Sequence, residues 1–330
     1  MMYIPILKTR RSEINVIKEL NYCFSEDIIP MFEIINMDYG LDVIKEIMKG
    51  KKAFIDLFRF SIKKYGNKID LQKVQYSWDL SEDENLYIND LNAINDKCEF
   101  IPVISIKKDF ATSQIVLSQL IDTLQNKHIA IAIRITDEYI DEYEDVFSKL
   151  RNTDYLMLDI GEQNPDSKFI EIEEFSEIET LSKKIILNSP RLKDRKNGDY
   201  DNGITNNIDT TLIDIVEESR FEGFGDYMGL KDTMPENQSG SNGIGNALAL
   251  LYDYKINKFY CFINKDKNMG MAGYRDVKRE ILNVETELNS ENDCPAFKKI
   301  KEIDCGNWST WHNITAKRYI HQIYKKNQQS

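Results

Sequence analysis

Eight short apolar runs, separated by longer stretches with helical spacing, constrain this chain more than any other feature. They are "YIPILK" (3–8), "IIPMFEII" (28–35), "AFIDLFRF" (53–60), "EFIPVISI" (99–106), "IAIAIRI" (129–135), "DYLMLDIG" (154–161), "KIILNSP" (184–190) and "SRFEGFGDYMG" (219–229). The runs are continuous rather than alternating, as in strands covered on both faces. Between them lie stretches such as "SEINVIKELNYC", where Ile14, Ile17 and Leu20 recur at helical spacing and Ser12 reads as an N-cap. Strands separated by helices pair in parallel through right-handed crossovers. Eight such units in about 225 residues predict an α/β fold, a (β/α)8 TIM-barrel-like domain over residues 1–245. A doubly wound open sheet is the alternative.

The rest of the chain changes character. "NALALLYDYKINKFYCFIN" (246–264) reads as a hairpin, "YRDVKREIL" as a helix and "NWSTWHNITAKRYIHQIYKK" as a final helix. Residues 246–330 are expected to form a C-terminal extension packed on the barrel. A formal net charge of -12 excludes a broad nucleic-acid surface, leaving only local basic patches such as "KTRR" (8–11). The five cysteines are odd in number and form no CxxC, which argues for a reducing compartment. No run reaches the roughly 20 apolar residues of a spanning helix. The expectation is a cytoplasmic protein without a membrane partner.

In a barrel of this kind the strand C-termini converge on one face, where the active sites of such folds lie. Those ends carry Lys8, Glu33, Asp56 with Arg59, Ser105 with Lys107, Arg134, Asp159, Asn188 with Ser189, and Asp226 with Tyr227. Charges at the mouth of an apolar core are partly desolvated, so their partners set their chemistry. Glu33, Asp56, Asp159 and Asp226 are the acid–base candidates, and Glu33, Asp56 and Asp159 are also the candidate Mg²⁺ ligands. Lys8, Arg59, Ser105, Lys107, Arg134, Asn188 and Tyr227 are the candidate ligand-binding residues, with the cations suited to phosphate or carboxylate.

Other motifs narrow the choice. "GFGDYMG" (223–229) is one residue too long for a dinucleotide fingerprint, and neither a Walker loop nor GxSxG occurs. Gly223 and Gly225 instead read as points of close approach in the last strand. "KDTMPENQSGSNGIG" (231–245) reads as a lid loop over the mouth. His128 falls at the wrong end of a strand for a site, and His312 and His321 lie on opposite sides of the final helix.

"YIPILKTRRSE", "IIPMFEI", the "GDY" of 225–227, "GYRD" at 273–276 and a Trp/His-containing end resemble the bacterial and phage proteins called the beta protein family. The matching positions are Tyr3, Pro5, Lys8, Glu13, Pro30, Glu33, Asp226, Tyr227, Tyr274, Arg275 and Trp311. Where that family's pattern leads one to expect a His-His pair, this chain has "IHQI", with His321 alone. The resemblance implies a phage or mobile-element setting and a part in phage–host conflict, and it implies no reaction. Residues and resemblance together predict a charged mouth that binds, and in one reading hydrolyses, a phosphorylated, phosphodiester or nucleotide-like ligand. The alternative is a non-catalytic sequestering protein, or a scaffold held by a protein partner in an anti-phage defence complex.

Overall fold

Each of the eight apolar runs forms one strand of a closed parallel barrel in the computed structural model, which describes residues 1–66, 68–94, 99–237 and 245–329. The first seven are β1 Met2–Lys8, β2 Met31–Ile34, β3 Ala53–Leu57, β4 Phe100–Ile106, β5 Ala132–Thr136, β6 Tyr155–Asp159 and β7 Lys183–Asn188. A short strand outside the barrel, β8 (Gly203–Thr205), comes before the closing strand β9 (Gly223–Asp226). Strand β9 pairs in parallel with both β7 and β1, which rules out the open sheet. Its glycines make that closure fit. A Cβ on Gly223 would lie 2.2 Å from the Met2 carbonyl oxygen, and one on Gly225 would lie 2.7 Å from Leu187 Cδ2.

The barrel interior is filled rather than hollow, with Phe54 and Tyr155 meeting edge to face at 4.8 Å between ring centroids. The helix Arg11–Glu19 begins after Arg10, not at Ser12, and its N-cap makes no side-chain hydrogen bond. Glu13 explains the difference. Its buried carboxylate turns back and accepts the Lys8 backbone N–H at 2.7 Å, tying the first turn to the end of β1.

Strands β10 (Ala247–Asp253) and β11 (Lys258–Asn264) form the expected hairpin, in register from Ala247↔Asn264 to Asp253↔Lys258. Sequence reading missed its third strand: β8 joins β11 antiparallel from inside a Gly/Asn/Asp-rich segment that carries no apolar pattern. The helix Trp308–Gln329 packs across β10 and Arg11–Glu19. There Arg318 donates to the Tyr252 and Leu288 carbonyls, each at 2.8 Å, and Tyr319 stacks on Phe259. Among the described residues no helix is long and apolar enough to cross a membrane. Cys23, Cys261, Cys294 and Cys305 are free thiols, and Cys98 lies outside the described residues.

Candidate functional site

Side chains alternate along a strand, so one parity of each barrel strand points inward. That parity places Lys8, Glu33, Asp56, Ser105, Arg134 and Asp159 together at the C-terminal end. Lys8 Nζ donates to Glu33 Oε2 at 2.6 Å. Arg134 Nη1 lies 2.7 Å from Glu33 Oε1 and 2.9 Å from Asp56 Oδ2, and its Nη2 lies 2.6 Å from Asp159 Oδ2. Ser105 donates to Asp56 Oδ1 at 2.9 Å, and Tyr227 donates to Glu33 Oε1 at 2.7 Å. Glu33, Asp56 and Asp159 thus converge on a cation that the chain itself supplies. A Mg²⁺ ion bound by them would have to displace the Arg134 guanidinium. Among the described residues no group of three or more potential ligands is arranged for a metal.

The network fixes its own ionisation. Burial by itself raises the Glu33 pKa, but Lys8 and then Arg134 more than reverse this, so Glu33 is held below the usual carboxylate range. Burial likewise works against the Lys8 ammonium, and Asp232 followed by Glu33 restores it and raises its pKa. Asp232 is a central member that sequence reasoning missed. Its Oδ1 accepts from Lys8 at 2.5 Å and its Oδ2 from the Tyr65 hydroxyl at 2.8 Å. Both acceptor and donor sit in connecting segments, beyond the reach of an argument based on strand ends.

Above the network opens a cavity of about 440 Å³. Its cations other than Arg134, namely Arg59, Lys63, Lys64, Lys107 and Lys108, come from the segments that follow β3 and β4. Its acids include Asp137, Glu138 and Asp159, from the ends of β5 and β6. Lys107 is recessed in the wall with its Nζ 4.1 Å from the Phe58 ring centroid. Its ammonium forms no ion pair among the described residues. Burial, resisted chiefly by Asp56, brings its pKa down to about 7. Arg59 is used differently: it donates to the Ser105 and Phe110 carbonyls at 2.9 and 3.1 Å and lies 3.8 Å over the Tyr87 ring.

Two expected site residues face elsewhere. Asp226 and Tyr227 are consecutive, so they cannot both point inward, and Tyr227 takes the mouth. The Asp226 carboxylate accepts from Tyr3 at 3.0 Å and from Tyr319 of the C-terminal helix at 2.6 Å. Burial raises its pKa to about 6 against the opposing effect of those hydroxyls and the Met228 amide. Asn188 is buried and does not line the cavity itself, but it donates at 3.0 Å to the carbonyl of Gln163, which does. Of the loop read as a lid, residues 238–244 lie outside the described residues. The preceding part is pinned: Asp232 is buried, and Asp70 donates its backbone N–H to the Pro235 carbonyl at 2.8 Å.

The chain matches the family model described as Beta protein over residues 3–325. It belongs to the Beta protein family. No curated protein matches it. Membership brings with it the phage association that the resemblance implies. The positions that carried the resemblance are spread over the molecule. Lys8, Glu33 and Tyr227 are bound to one another in the mouth network, while Tyr274 stacks on Trp311 at 5.2 Å in the C-terminal core. Arg275 is at the surface, paired with Asp304 at 2.8 Å. The histidines also divide: His128 and His321 are buried, the latter 3.3 Å from Asp293, and His312 is exposed.

Proposed function

We propose that the barrel mouth binds a small phosphorylated or nucleotide-like molecule, and that this protein acts in phage–host conflict by sensing or sequestering it. One observation carries the reading. Lys107 is a recessed cation without a carboxylate partner in a cavity of about 440 Å³, within the size range of small-molecule sites. An anion placed against it would restore the charge that burial has weakened, and Lys63 and Lys64 stand nearby. The acids of the lining support the nucleotide-like part of the reading. Asp159 and Asp137 offer acceptors to the sugar hydroxyls or base amines of such a ligand.

Binding without acid–base turnover is the better-supported mechanism. Glu33, held ionised by Lys8 and Arg134, is a poor proton donor near neutrality, and Asp56 is already occupied by Arg134 and Ser105. Titration calorimetry with inorganic phosphate and nucleoside mono- and diphosphates tests the proposal. At least one nucleotide is expected to bind, and Lys107→Met is expected to weaken it tenfold or more while the circular dichroism spectrum stays unchanged. Equal affinity in the variant would overturn the reading. The hydrolase reading rests on Asp159, a network carboxylate that lines the cavity as Asp232 does but is not paired with Lys8. Phosphate release that disappears in Asp159→Asn while nucleotide binding persists would favour it.

A further inference from the structure

A second cavity, of about 300 Å³, lies between the barrel and the first turns of the helix Trp308–Gln329. Its wall includes Arg10, Arg191, Lys231 and His312, none of which lines the mouth cavity. Arg191 is only 4% exposed and makes no ion pair among the described residues. Its bonds are long ones to neutral acceptors, at 3.3 Å to the Gly229 carbonyl and 3.4 Å to Asn197 Oδ1. Its Nε is buried with no partner at all, as is that of Arg10. A desolvated guanidinium with unfilled donors is costly unless something answers its charge.

Little nearby can do so. Glu13 is the single carboxylate of this wall, and its oxygens already serve Arg10 and the Lys8 amide. Lys231 spends its ammonium on the Lys193 and Arg195 carbonyls, at 2.9 and 2.5 Å. Its pKa is lowered, first by burial and then by the charge of Arg191. His312 borders this cavity while part of its side chain stays open to solvent, and crowding by its packed neighbours, followed by the charges of Arg191, Arg10 and Lys231, lowers its pKa. Ser309, His312 and Asn313 share one helical face toward the cavity, in the first turns of a 22-residue helix whose N-terminus adds a partial positive charge.

We propose that this cavity is a second anion site, which takes the phosphoryl group of a small phosphomonoester. Arg191 and Arg10 supply the guanidinium donors, and Ser309 and Asn313 supply neutral ones. A dianion matches the surplus of cations over the one carboxylate, and the planar fork of Arg191 suits two phosphate oxygens. The cavity exceeds what a bare phosphate fills, which leaves room for its carrier beside the half-exposed Trp308.

The chain has only three histidines, so the ring resonances of His312 can be followed by NMR in histidine-labelled protein. Inorganic phosphate and adenosine 5′-monophosphate are the probes. The monophosphate is expected to shift the His312 signal at micromolar to low millimolar concentration and to raise its pKa, by placing negative charge beside it. Arg191→Met should abolish the response, and Lys107→Met should leave it intact, which separates this site from the mouth. Asn313→Asp is the control if the arginine variant fails to fold. It supplies the missing anion internally and should block the probe while raising the melting temperature. A silent His312, an unchanged response in Arg191→Met, or an Asn313→Asp protein that still binds would overturn the proposal. A response to inorganic phosphate but not to the monophosphate would overturn the assignment to a phosphomonoester.

Discussion

Replacing Glu33 by glutamine tests the idea that the barrel mouth is held by mutual ion pairing. Glu33 is fully buried and its two oxygens serve Lys8, Arg134 and Tyr227. The amide keeps the shape and removes the charge. Lys8 then keeps only Asp232 as a close anion, while Arg134 keeps Asp56 and Asp159. Breaking a buried pair by removing one partner costs about 3–5 kcal/mol, because an uncompensated charge stays behind. Since both cations retain another anion here, the lower end applies, about 3 kcal/mol. Urea unfolding at pH 7, followed by circular dichroism and by tryptophan fluorescence, measures the loss. The pH dependence supplies a second reading with a definite sign. Glu33 has a folded pKa below its ordinary 4.5, so its contribution is present above that value and fades as pH falls through the lowered one. The gap between wild type and Glu33→Gln should therefore narrow as the pH drops below about 4.5. Lys8→Met combined with Glu33→Gln should cost less than the sum of the single changes by about 1–3 kcal/mol. A single-variant loss under about 1 kcal/mol, or strict additivity, would refute the network as described.

Three further outcomes follow from other parts of the molecule. Asp226, raised to about 6 from an ordinary 3.8, binds protons more tightly folded than unfolded, so it costs stability as pH rises through that window. Asp226→Asn should therefore gain on wild type by about 2 kcal/mol between pH 4 and pH 7, and a flat difference in urea midpoints would contradict this. Lys107 should acylate in competitive labelling with an apparent pKa near 7, and an ordinary value near 10.5 would show that its amine is not desolvated. Gly223→Ala forces a Cβ against the Met2 carbonyl, at 2.2 Å, in the strand that closes the barrel. Overpacking of that kind costs about 3 kcal/mol or more when the obstacle is backbone, and a melting temperature equal to wild type would show that β1 and β9 can part without penalty.

The barrel was readable because its strands are long apolar runs with helical spacing between them, and that contrast survives without any tertiary information. The short strand β8 was not, since Gly203 and Ile204 are exposed and nothing in their neighbours demands a sheet. Within the site, Lys8, Glu33, Asp56, Ser105, Arg134 and Asp159 could be placed from the strand ends because the inward parity of each strand selects them. The same rule applied to β9 would have separated Asp226 from Tyr227, one residue apart and on opposite faces. Asp232 and Tyr65 carry no such signal. They reach the network from connecting segments, and only the closed barrel shows that those segments meet Lys8.

Charge at a strand end does not by itself mark a binding group, because a barrel mouth can neutralise its own charges. Here Arg134 absorbs three carboxylates and Lys8 two, so the residues with the most conspicuous positions have the fewest free valences. Available chemistry lies where pairing fails. Lys107 stands one step beyond β4, too far out to join the network and too enclosed to be fully hydrated. Arg191 stands beyond β7, with donors that neighbouring carbonyls answer only at long range. Both positions follow strands whose last inward residues are uncharged, Ser105 on β4 and Leu187 on β7, so neither strand supplies the cation with an anion of its own. An external anion is the proposed way to satisfy each of them, and the two substitutions, Lys107→Met and Arg191→Met, separate one site from the other.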